Sequence, residues 1–462
     1  MLKRFTNACV KMVDRYLPDP FLFAIILTLF IFGAACVFTG TPEEAYADRA
    51  LRTLKYWGDF KNGFWNLLKF SMQTSMIVVF GSTLAKTPLF TKLINSLAGT
   101  VSTEAGAIIL TTVVSSVFSW LNYGLGLIVG ALLGKAIAKR IKVDYPLLIA
   151  AAYSGFVIWH QGLSGSIPLT ISTGFKVGNM NVVAPITDTI FNQWNLITVV
   201  ACIIVLCIVN VAMRRDPDKA VYVDPSLFKE DDVKVEYKIE TPADRMEHSK
   251  ILWLLTVILG WAFLFFYFKG YADSGKSVLN GLGRDSVNFF LLFAGLLLHG
   301  DLRRYVDALK SSVSSVAGVI LQYPFYAGIM AIMVGVDSQG QSLAVIISNF
   351  FVQHATKVTF PFLTFISAGV VNFLVPSGGG QWAVQAPIVM DAAAKIGVPQ
   401  GLAAMAIAFG DQWTNMIQPF WALPALAVAG LRAKDIMGFM VVVTIATGIV
   451  FGVGIFCWAL FI

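Results

Sequence analysis

The chain has 462 residues, of which 57% are hydrophobic and only 13% are charged. A soluble domain carries about 25% charged residues, so the composition predicts a membrane protein. The net charge of +7 does not indicate a nucleic-acid partner, because the basic residues cluster at the ends of apolar runs, as the positive-inside rule describes. The five cysteines are scattered without a C-x-x-C pair, so neither a disulfide framework nor a zinc site is indicated.

Apolar runs of about 20 residues, long enough to cross a bilayer, follow one another along the chain. Residues 3–17, before the first run, are predicted to form a short amphipathic segment on the membrane surface, not a cleavable signal peptide. Basic residues predict a cytoplasmic N-terminus and external loops at 40–62 and 271–284. The apolar runs are 20–39, 64–85, 191–213, 251–270, 285–300, 310–335 and 435–461.

Residues 216–249 form the one long polar stretch, which we interpret as part of a cytoplasmic linker between two membrane halves. The predicted organisation is therefore a first half at 1–213, a linker at 214–250 and a second half at 251–462. Each half is lipid-embedded and contains two apolar segments that polar and small residues interrupt.

In the first half, residues 105–134 are broken between Trp120 and Gly126. The charge marks on either side are both cytoplasmic, which predicts a re-entrant hairpin at about 105–140. Residues 146–172 then cross outward and are broken at 162–168. Helix-breaking backbone at membrane depth is tolerated only where it is buried in protein or lines a cavity.

In the second half, a hairpin at about 360–395 is interrupted at 375–382 and is predicted to open to the outside. A broken helix follows at about 400–430. The halves run in opposite directions, as an inverted repeat requires. The predicted fold is thus an all-α polytopic membrane protein of inverted repeats, each with a re-entrant helical hairpin and a broken transmembrane helix. Residues 254 positions apart support the repeat: Gly124 with Gly378, Gly126 with Gly380 and Trp159 with Trp413.

Interrupted helices offer unpaired backbone N–H groups and a partial positive charge, which suit a carboxylate. The alternative for the same small residues is a hinge or tight helix packing. Tryptophans at the breaks (Trp120, Trp159, Trp382, Trp413 and Trp421) indicate an aromatic wall for a short apolar tail, with an interfacial belt or plain packing as the alternative. The predicted substrate-binding residues are Asn122, Gly124, Gly126, Trp159, Ser164, Ser166, Ser377, Gly378, Gly379, Gly380, Gln381, Trp413 and Asn415.

Asp411 is the outstanding acid at membrane depth, where a carboxyl group is costly and indicates function. We predict that it couples transport to a proton, or that it helps to hold Na+ near Asn122, Ser377 and Asn415. The alternative is an acid that caps the restarted helix. His160, beside the first break, is a second and weaker candidate for the coupling role, since a lone histidine is more often a packed polar residue. No other cofactor is predicted.

Long ungapped strings of the chain resemble the short-chain fatty acid transporter family, within the ion transporter superfamily, over nearly the whole length. The resemblance implies an inner-membrane carrier for fatty acids such as acetoacetate or butyrate, with paired re-entrant hairpins and a homodimeric assembly. The strings are YLPDP at 16–20, GFWNL at 63–67, NYGLGLIVG at 122–130, DYPLLIA at 144–150, GLSGSIP at 162–168, YPFYAG at 323–328, NFLVPSGGG at 372–380 and DQWTNMIQPFWALP at 411–424.

The expected function is therefore cation-coupled secondary transport of a monocarboxylate, with no enzymatic activity. A dicarboxylate or amino-acid carrier of the same architecture is the alternative. It would require more fixed cations at the breaks, and the sequence has no Lys or Arg within 121–134, 150–168, 372–394 or 400–431. A remote alternative is an intramembrane serine hydrolase with Ser164 as nucleophile, which would need a histidine within hydrogen-bond reach.

Overall fold

In a computed structural model the protein is 77% helical with almost no sheet, which confirms the predicted all-α class. The structure describes residues 20–462 apart from 178–179, 217, 219, 224–238, 276, 314–315, 373–374 and 376. The predicted surface segment at 3–17 and residues 224–238 of the predicted linker lie outside the described residues.

The helices before the linker alternate between long straight elements and short pieces. They are α1 (Pro20–Phe38), α2 (Tyr46–Gly58), α3 (Leu68–Ala85), α4 (Pro88–Ala98), α5 (Glu104–Leu121), α6 (Tyr123–Ala138), α7 (Tyr145–Ser154), α8 (Ser166–Ser172) and α9 (Gln193–Ala212). Strands β1 (Phe175–Val177) and β2 (Met180–Val182) pair antiparallel after α8.

The same mixture of lengths follows the linker. The elements are α10 (Pro242–Glu247), α11 (Lys250–Asp273), α12 (Arg284–His299), α13 (Leu302–Val313), α14 (Ala317–Val334), α15 (Leu343–His354), α16 (Thr359–Val371), α17 (Gly378–Ile396), α18 (Gln400–Thr414), α19 (Pro419–Ala429) and α20 (Ala433–Leu460).

Among the described residues, four segments are long and apolar enough to cross a membrane: α5, α9, the stretch Pro242–Asp273 and α20. Helices α3 and α4 are long and apolar enough to cross a membrane only when they are counted as one span, and they meet at a bend of 63°. Shorter apolar helices, including α6 and α16, make up much of the rest. This mixture is what interrupted membrane crossings produce, because each break divides a long helix into short ones.

The first hairpin consists of α5 and α6, joined by the single extended residue Asn122 (φ −158°, ψ 120°). A Cβ on Gly126 would overlap Ser119, and one on Gly130 would lie 2.8 Å from the Ser115 hydroxyl. The second contact lies about one helical turn farther from Asn122 than the first on both helices, so α5 and α6 run antiparallel and touch. The predicted break at 120–126 is narrower than expected, because Tyr123 already begins α6.

The first broken helix consists of α7, a 3₁₀ turn over Gly155–Gln161, an irregular stretch at 162–165 and α8. Pro168, predicted to lie in the break, is the third residue of α8. Proline is tolerated there because the N–H groups of a first helical turn have no intrahelical partner.

The same order of elements recurs in the second half. The second hairpin consists of α16 and α17, which flank the break at 372–377, and the second broken helix consists of α18, a 3₁₀ turn over Asn415–Ile417 and α19. Pro419 begins α19, a position that suits proline. The inverted orientation of the two sets relative to a membrane stays a prediction.

Two hydrophobic clusters position these elements. The larger contains the first hairpin, both broken helices, α9 and α20. The other packs α1 against α14 and includes Phe70, Tyr323 and Val375. The break of the second hairpin therefore lies where the two clusters adjoin.

Candidate functional site

Asp411 and His160 form a fully buried pair between the two broken helices, with Asp411 Oδ2 2.9 Å from His160 Nδ1. The backbone N–H of Ile167 lies 3.1 Å from His160 Nε2. A backbone N–H can only donate, so Nε2 is the acceptor and Nδ1 carries the ring proton. His160 therefore donates to Asp411 as a neutral imidazole.

The second carboxylate oxygen of Asp411 has a different environment. Oδ2 also accepts from Asn415 Nδ2 at 3.3 Å, whereas buried Oδ1 has no donor among the residues that the structure describes. Asn372 donates to Asn415 Oδ1 at 2.9 Å, and its own Oδ1 is likewise unpaired within the described part of the chain. The Asp411 carboxylate can thus accept a proton, and both buried oxygens can ligate a small cation.

A chain of hydrogen-bonded amide side chains supports the His160–Asp411 pair. The backbone N–H of His160 donates to Gln412 Oε1 at 3.1 Å, and Gln412 Nε2 donates to Gln161 Oε1 at 2.9 Å. Gln161 Nε2 in turn donates to Asn195 Oδ1 at 3.0 Å. All four side chains are fully buried, so the network crosslinks the broken helices and α9 and fixes the imidazole.

The tips of both hairpins converge on this pair. We define the first tip as residues 122–126 and the second tip as the described residues 375 and 377–381. The Trp159 ring stacks on His160, with centroids 4.1 Å apart, and Tyr123 of the first tip packs 4.8 Å from Trp159. In the second tip, a Cβ on Gly378 would overlap His160 Cε1 and lie 2.9 Å from Trp159 Cη2. Trp159 therefore contacts both tips, and His160 contacts the second.

The polar residues of the first tip make local structural bonds. Asn122 accepts from the Leu125 N–H at 2.9 Å and donates to the Ile77 carbonyl at 3.1 Å. Ser164 accepts from the Tyr123 N–H at 2.9 Å. Ser166 is buried at the start of α8. These bonds cap α6 and fasten the first tip to the first broken helix.

Gly124 and Gly126 lie inside α6, where they permit close packing. A Cβ on Gly124 would lie 2.8 Å from the Val78 carbonyl of α3, and one on Gly126 would overlap Ser119 of α5. These contacts fit tight helix packing, which was the alternative to a ligand-binding role for Gly124 and Gly126.

The second tip packs against α3 and α14. Ser377 Oγ lies 3.2 Å from the Tyr323 hydroxyl, and a Cβ on Gly379 would overlap Phe70. At Gly380 the ring of Tyr326 occupies the space that a side chain would need, because a Cβ added there would lie 2.5 Å from the ring. Gly379 and Gly380 are thus the points where the second tip touches the neighbouring cluster.

Gln381 turns back onto its own hairpin. Its side-chain nitrogen donates to the Ala368 carbonyl at 2.8 Å and to Gln385 Oε1 at 2.7 Å. Its oxygen is buried and has no donor in the described residues. Gln381 therefore ties α17 to α16 and retains one acceptor.

The five tryptophans lie in different surroundings. Trp159 and Trp421 are neighbours, 6.2 Å apart, beside the first tip. Trp413 stacks on Phe365 at 5.0 Å and donates to the Thr444 carbonyl at 2.6 Å, so it faces α16 and α20. Trp120 packs on Phe191, and Trp382 packs on Phe175.

The sequence did not single out His160 as a partner of Asp411, nor Gln161, Gln412, Asn195 and Asn372 as its support. The sequence did contain one relevant pattern. Trp159 and Trp413 are paired in the predicted repeat, and an ionisable residue lies close to each: His160 directly follows Trp159, and Asp411 lies two residues before Trp413. Both ring nitrogens of His160 are engaged by Asp411 and Ile167. The imidazole is therefore not placed to activate Ser164.

Comparison with known proteins agrees with the architecture. A family profile described as "Short chain fatty acid transporter" matches residues 1–458. A protein of Escherichia coli (strain K12) named "Putative short-chain fatty acid transporter" is 40% identical over 459 residues, which are 98% of this chain and 99% of the relative. A Haemophilus influenzae protein of the same name is 38% identical over 469 residues, with 99% and 100% covered.

A solved structure has a similar fold. The Alcanivorax borkumensis YdaH transporter matches 96% of this chain and 99% of its own, with a TM-score of 0.58 at 15% identity. At that identity the likeness concerns the fold alone. Together with the full-length sequence matches, it places this protein among membrane transporters, and the chain belongs to the short-chain fatty acid transporter family.

Proposed function

We propose that the protein is a secondary active carrier of short-chain monocarboxylates such as acetoacetate and butyrate, driven by H+ or Na+, in the bacterial inner membrane. Family membership supports the substrate class. The observation that carries the coupling is buried Asp411, whose Oδ2 accepts two hydrogen bonds while its Oδ1 has no donor in the described residues. An ionised carboxylate in that position is costly until a cation neutralises it.

The substrate anion requires donors of its own. The first turn of α17 is Gly378-Gly379-Gly380, whose N–H groups have no partner within the helix by helix geometry. Glycine lets a ligand approach this backbone closely, and the positive end of the helix dipole favours a carboxylate. Cation binding at Asp411 and anion binding at α17 would each reduce the cost of burying the other.

Alternating access follows from this mutual dependence. A site that holds both ions is close to neutral and can move between openings, whereas a site that holds one carries a net charge through a low-dielectric interior. We further propose a homodimer with cytoplasmic N-termini. A single substrate carboxylate is favoured over two because the broken segments themselves contain no Lys or Arg.

The test is uptake of labelled butyrate or acetoacetate into liposomes that contain the full-length protein. Uptake should saturate and should exceed the external concentration under an inward proton or sodium gradient, applied separately. Protein-free liposomes measure passive entry of the free acid. In Asp411→Asn, accumulation should fall to the equilibrium distribution, because a neutral amide can neither take up a proton nor balance the charge of Na+.

Asp273→Asn is the matched control, since Asp273 is an exposed acid paired with Lys269 at the end of α11. This variant should accumulate substrate like the wild type. Full accumulation by Asp411→Asn would remove Asp411 from coupling. A wild type that equilibrates the substrate but ignores both gradients would be a facilitator or a channel.

A further inference from the structure

Arg284 is a buried cation outside the site described above. It begins α12 and is only 8% exposed. Its Nε and Nη1 atoms are buried without a hydrogen-bond partner in the described part of the chain. The guanidinium lies over the face of Phe70, 4.4 Å from the ring centroid. A buried guanidinium with unused donors is costly, and such a group requires an anion to complete it.

Arg284 lines a cavity of about 400 Å³ that is formed by the beginnings of α3 and α12 and by the β1 region. Lys69 and Lys176 line it from exposed positions, and Asp285 is the one acid among the lining residues. The lining thus carries three positive charges and one negative. The Asp285 carboxylate accepts a hydrogen bond from Gln73.

The cavity adjoins the second tip. Phe70 lines it, stacks on Tyr323 with centroids 5.6 Å apart, and lies where a Cβ on Gly379 would overlap it. Tyr323 in turn contacts Ser377. One aromatic ring therefore separates the Arg284 cavity from the first turn of α17.

The chemistry of the cavity fits a small carboxylate with an apolar tail. A guanidinium offers two parallel N–H groups that match the two oxygens of a carboxylate. The rings of Phe70 and Phe175 provide apolar surface for a short acyl chain. Exposed Lys69 and Lys176 raise the local concentration of anions before they reach Arg284.

We propose that this cavity is an entry site, in which Arg284 binds the carboxylate of a short-chain monocarboxylate before the substrate passes Phe70 to reach the second tip. The inference rests on the proposed function, which it deepens by adding a second binding position on the transport path. It also places a fixed cation near the substrate path that comes from α12 and not from the broken segments.

The test compares butyrate uptake by wild type, Arg284→Gln and Arg284→Lys in liposomes of zwitterionic lipid. Arg284→Gln should raise KM for butyrate by on the order of 10- to 100-fold, as expected for a lost charged hydrogen bond, and leave the maximal rate close to wild type. Arg284→Lys keeps the positive charge but loses the two parallel N–H donors of the guanidinium, so its KM should lie between those of wild type and Arg284→Gln. Lys61→Gln removes one exposed charge from the neighbouring loop outside the cavity and should leave KM unchanged.

Three outcomes are informative. A wild type without butyrate transport would contradict the proposed function itself. Normal transport with wild-type KM in both Arg284 variants would overturn the entry site alone. If the KM effect arises only in liposomes with anionic lipid, Arg284 binds a lipid headgroup and the entry site is again overturned. Should Arg284→Gln fail to fold, as judged by size exclusion and thermal melting, Arg284→Lys decides the question.

Discussion

One imidazole connects most of the candidate site. His160 donates to Asp411, accepts from Ile167 and stacks on Trp159, so its ring is held at both nitrogens and on one face. A ring held in this way has one protonation pattern, and it presents Asp411 with a fixed donor. The free oxygen of Asp411 is therefore the point at which the pair can change state.

The packing of the second tip against this ring leads to a prediction. Alanine at Gly378 would add a Cβ that overlaps His160 and lies 2.9 Å from Trp159. Neither ring can retreat without breaking its own contacts, and overpacking of this kind costs about 1–3 kcal/mol. We expect Gly378→Ala to reduce butyrate uptake strongly while the protein still inserts and purifies normally. Gly270→Ala is the control, because nothing lies within 4 Å of the added Cβ, and equal activity of the two variants would contradict the geometry.

Sequence reasoning reached Asp411 but not the role of His160, for a physical reason. A lone acid in a long apolar segment stands out by its own desolvation cost. A histidine can be satisfied locally, and its partner here is 251 positions away along the chain. Spacing within a helix tells which residues share a face, but not which distant helix that face meets.

At the scale of elements, the breaks in the helices were predictable but their form was not, and whether the hairpins are re-entrant stays a prediction. The blend of glycine and polar residues at 120–126 predicted the first break, yet a single extended residue, Asn122, makes the turn. Gly124 and Gly126 continue α6 and let it pack closely. Glycine permits both a break and a close approach, so the sequence alone could not choose between them.

The apolar run at 310–335 shows the opposite difficulty. It is divided between α14 and the preceding α13, an amphipathic helix in which Arg303, Asp307 and Lys310 alternate with apolar residues. Helices α2, α4 and α15 were also not predicted as separate elements. Such helices are short, and amphipathic ones such as α2 and α13 carry too many polar residues to stand out as membrane-spanning runs.

The beginning of α13 provides a prediction on pH. Burial raises the pKa of Asp301, but hydrogen bonds from His248 and from the Arg304 N–H outweigh it, so the pKa lies below its ordinary value. A lowered pKa stabilises the fold above the unfolded-state value of about 3.9, and that stability is lost as the pH falls through the folded-state pKa. Asp301→Asn keeps an oxygen that can cap the helix but loses the charge, so it should be less stable than wild type at pH 7 by about 1 kcal/mol, the difference between a hydrogen bond to a charged acceptor and one to a neutral acceptor.

The measurement is the melting temperature of the detergent-solubilised protein between pH 7 and pH 3. The difference between wild type and Asp301→Asn should begin to shrink as the pH falls below about 4, where the carboxyl is protonated in the unfolded state, and should vanish once the folded state is protonated as well. Asp307→Asn removes an acid that is one-third exposed from the same helix and serves as the control. A difference that stays constant over this range would show that ionisation of Asp301 contributes nothing.

For the whole molecule, composition and charge were sufficient to predict a helical membrane protein, and its division into two halves stays a prediction. They could not predict that the second tip lies between two hydrophobic clusters, one around the broken helices and one around α1 and α14. That arrangement depends on contacts such as Phe70 with Gly379, which join segments far apart in the chain.

The orientation of the molecule is a prediction at this scale. Because basic residues flank the cytoplasmic ends of membrane segments, Lys61 and Asp273 should be outside the cell, and Arg245 and Arg432 inside. In a background without the native cysteines, cysteine at the first two positions should react with an impermeant maleimide on intact cells. Cysteine at the last two should react only after permeabilisation. The reverse pattern would turn the Arg284 cavity toward the cytoplasm and make it an exit.

The two tips are fastened with unequal strength. Buried amides hold the first tip to its broken helix, the Tyr123 N–H on Ser164 at 2.9 Å and the Leu163 N–H on the Trp120 carbonyl at 2.7 Å. Separating the first tip from the broken helix would leave two buried N–H donors without partners and away from water. We therefore expect this hairpin and the first broken helix to move together as one rigid unit. The second tip contacts α14 through the paired hydroxyls of Ser377 and Tyr323, groups that can each rotate to a new neighbour. We therefore expect the second tip to separate from α14 at the Ser377–Tyr323 contact during transport, a movement that need not unwind any helix.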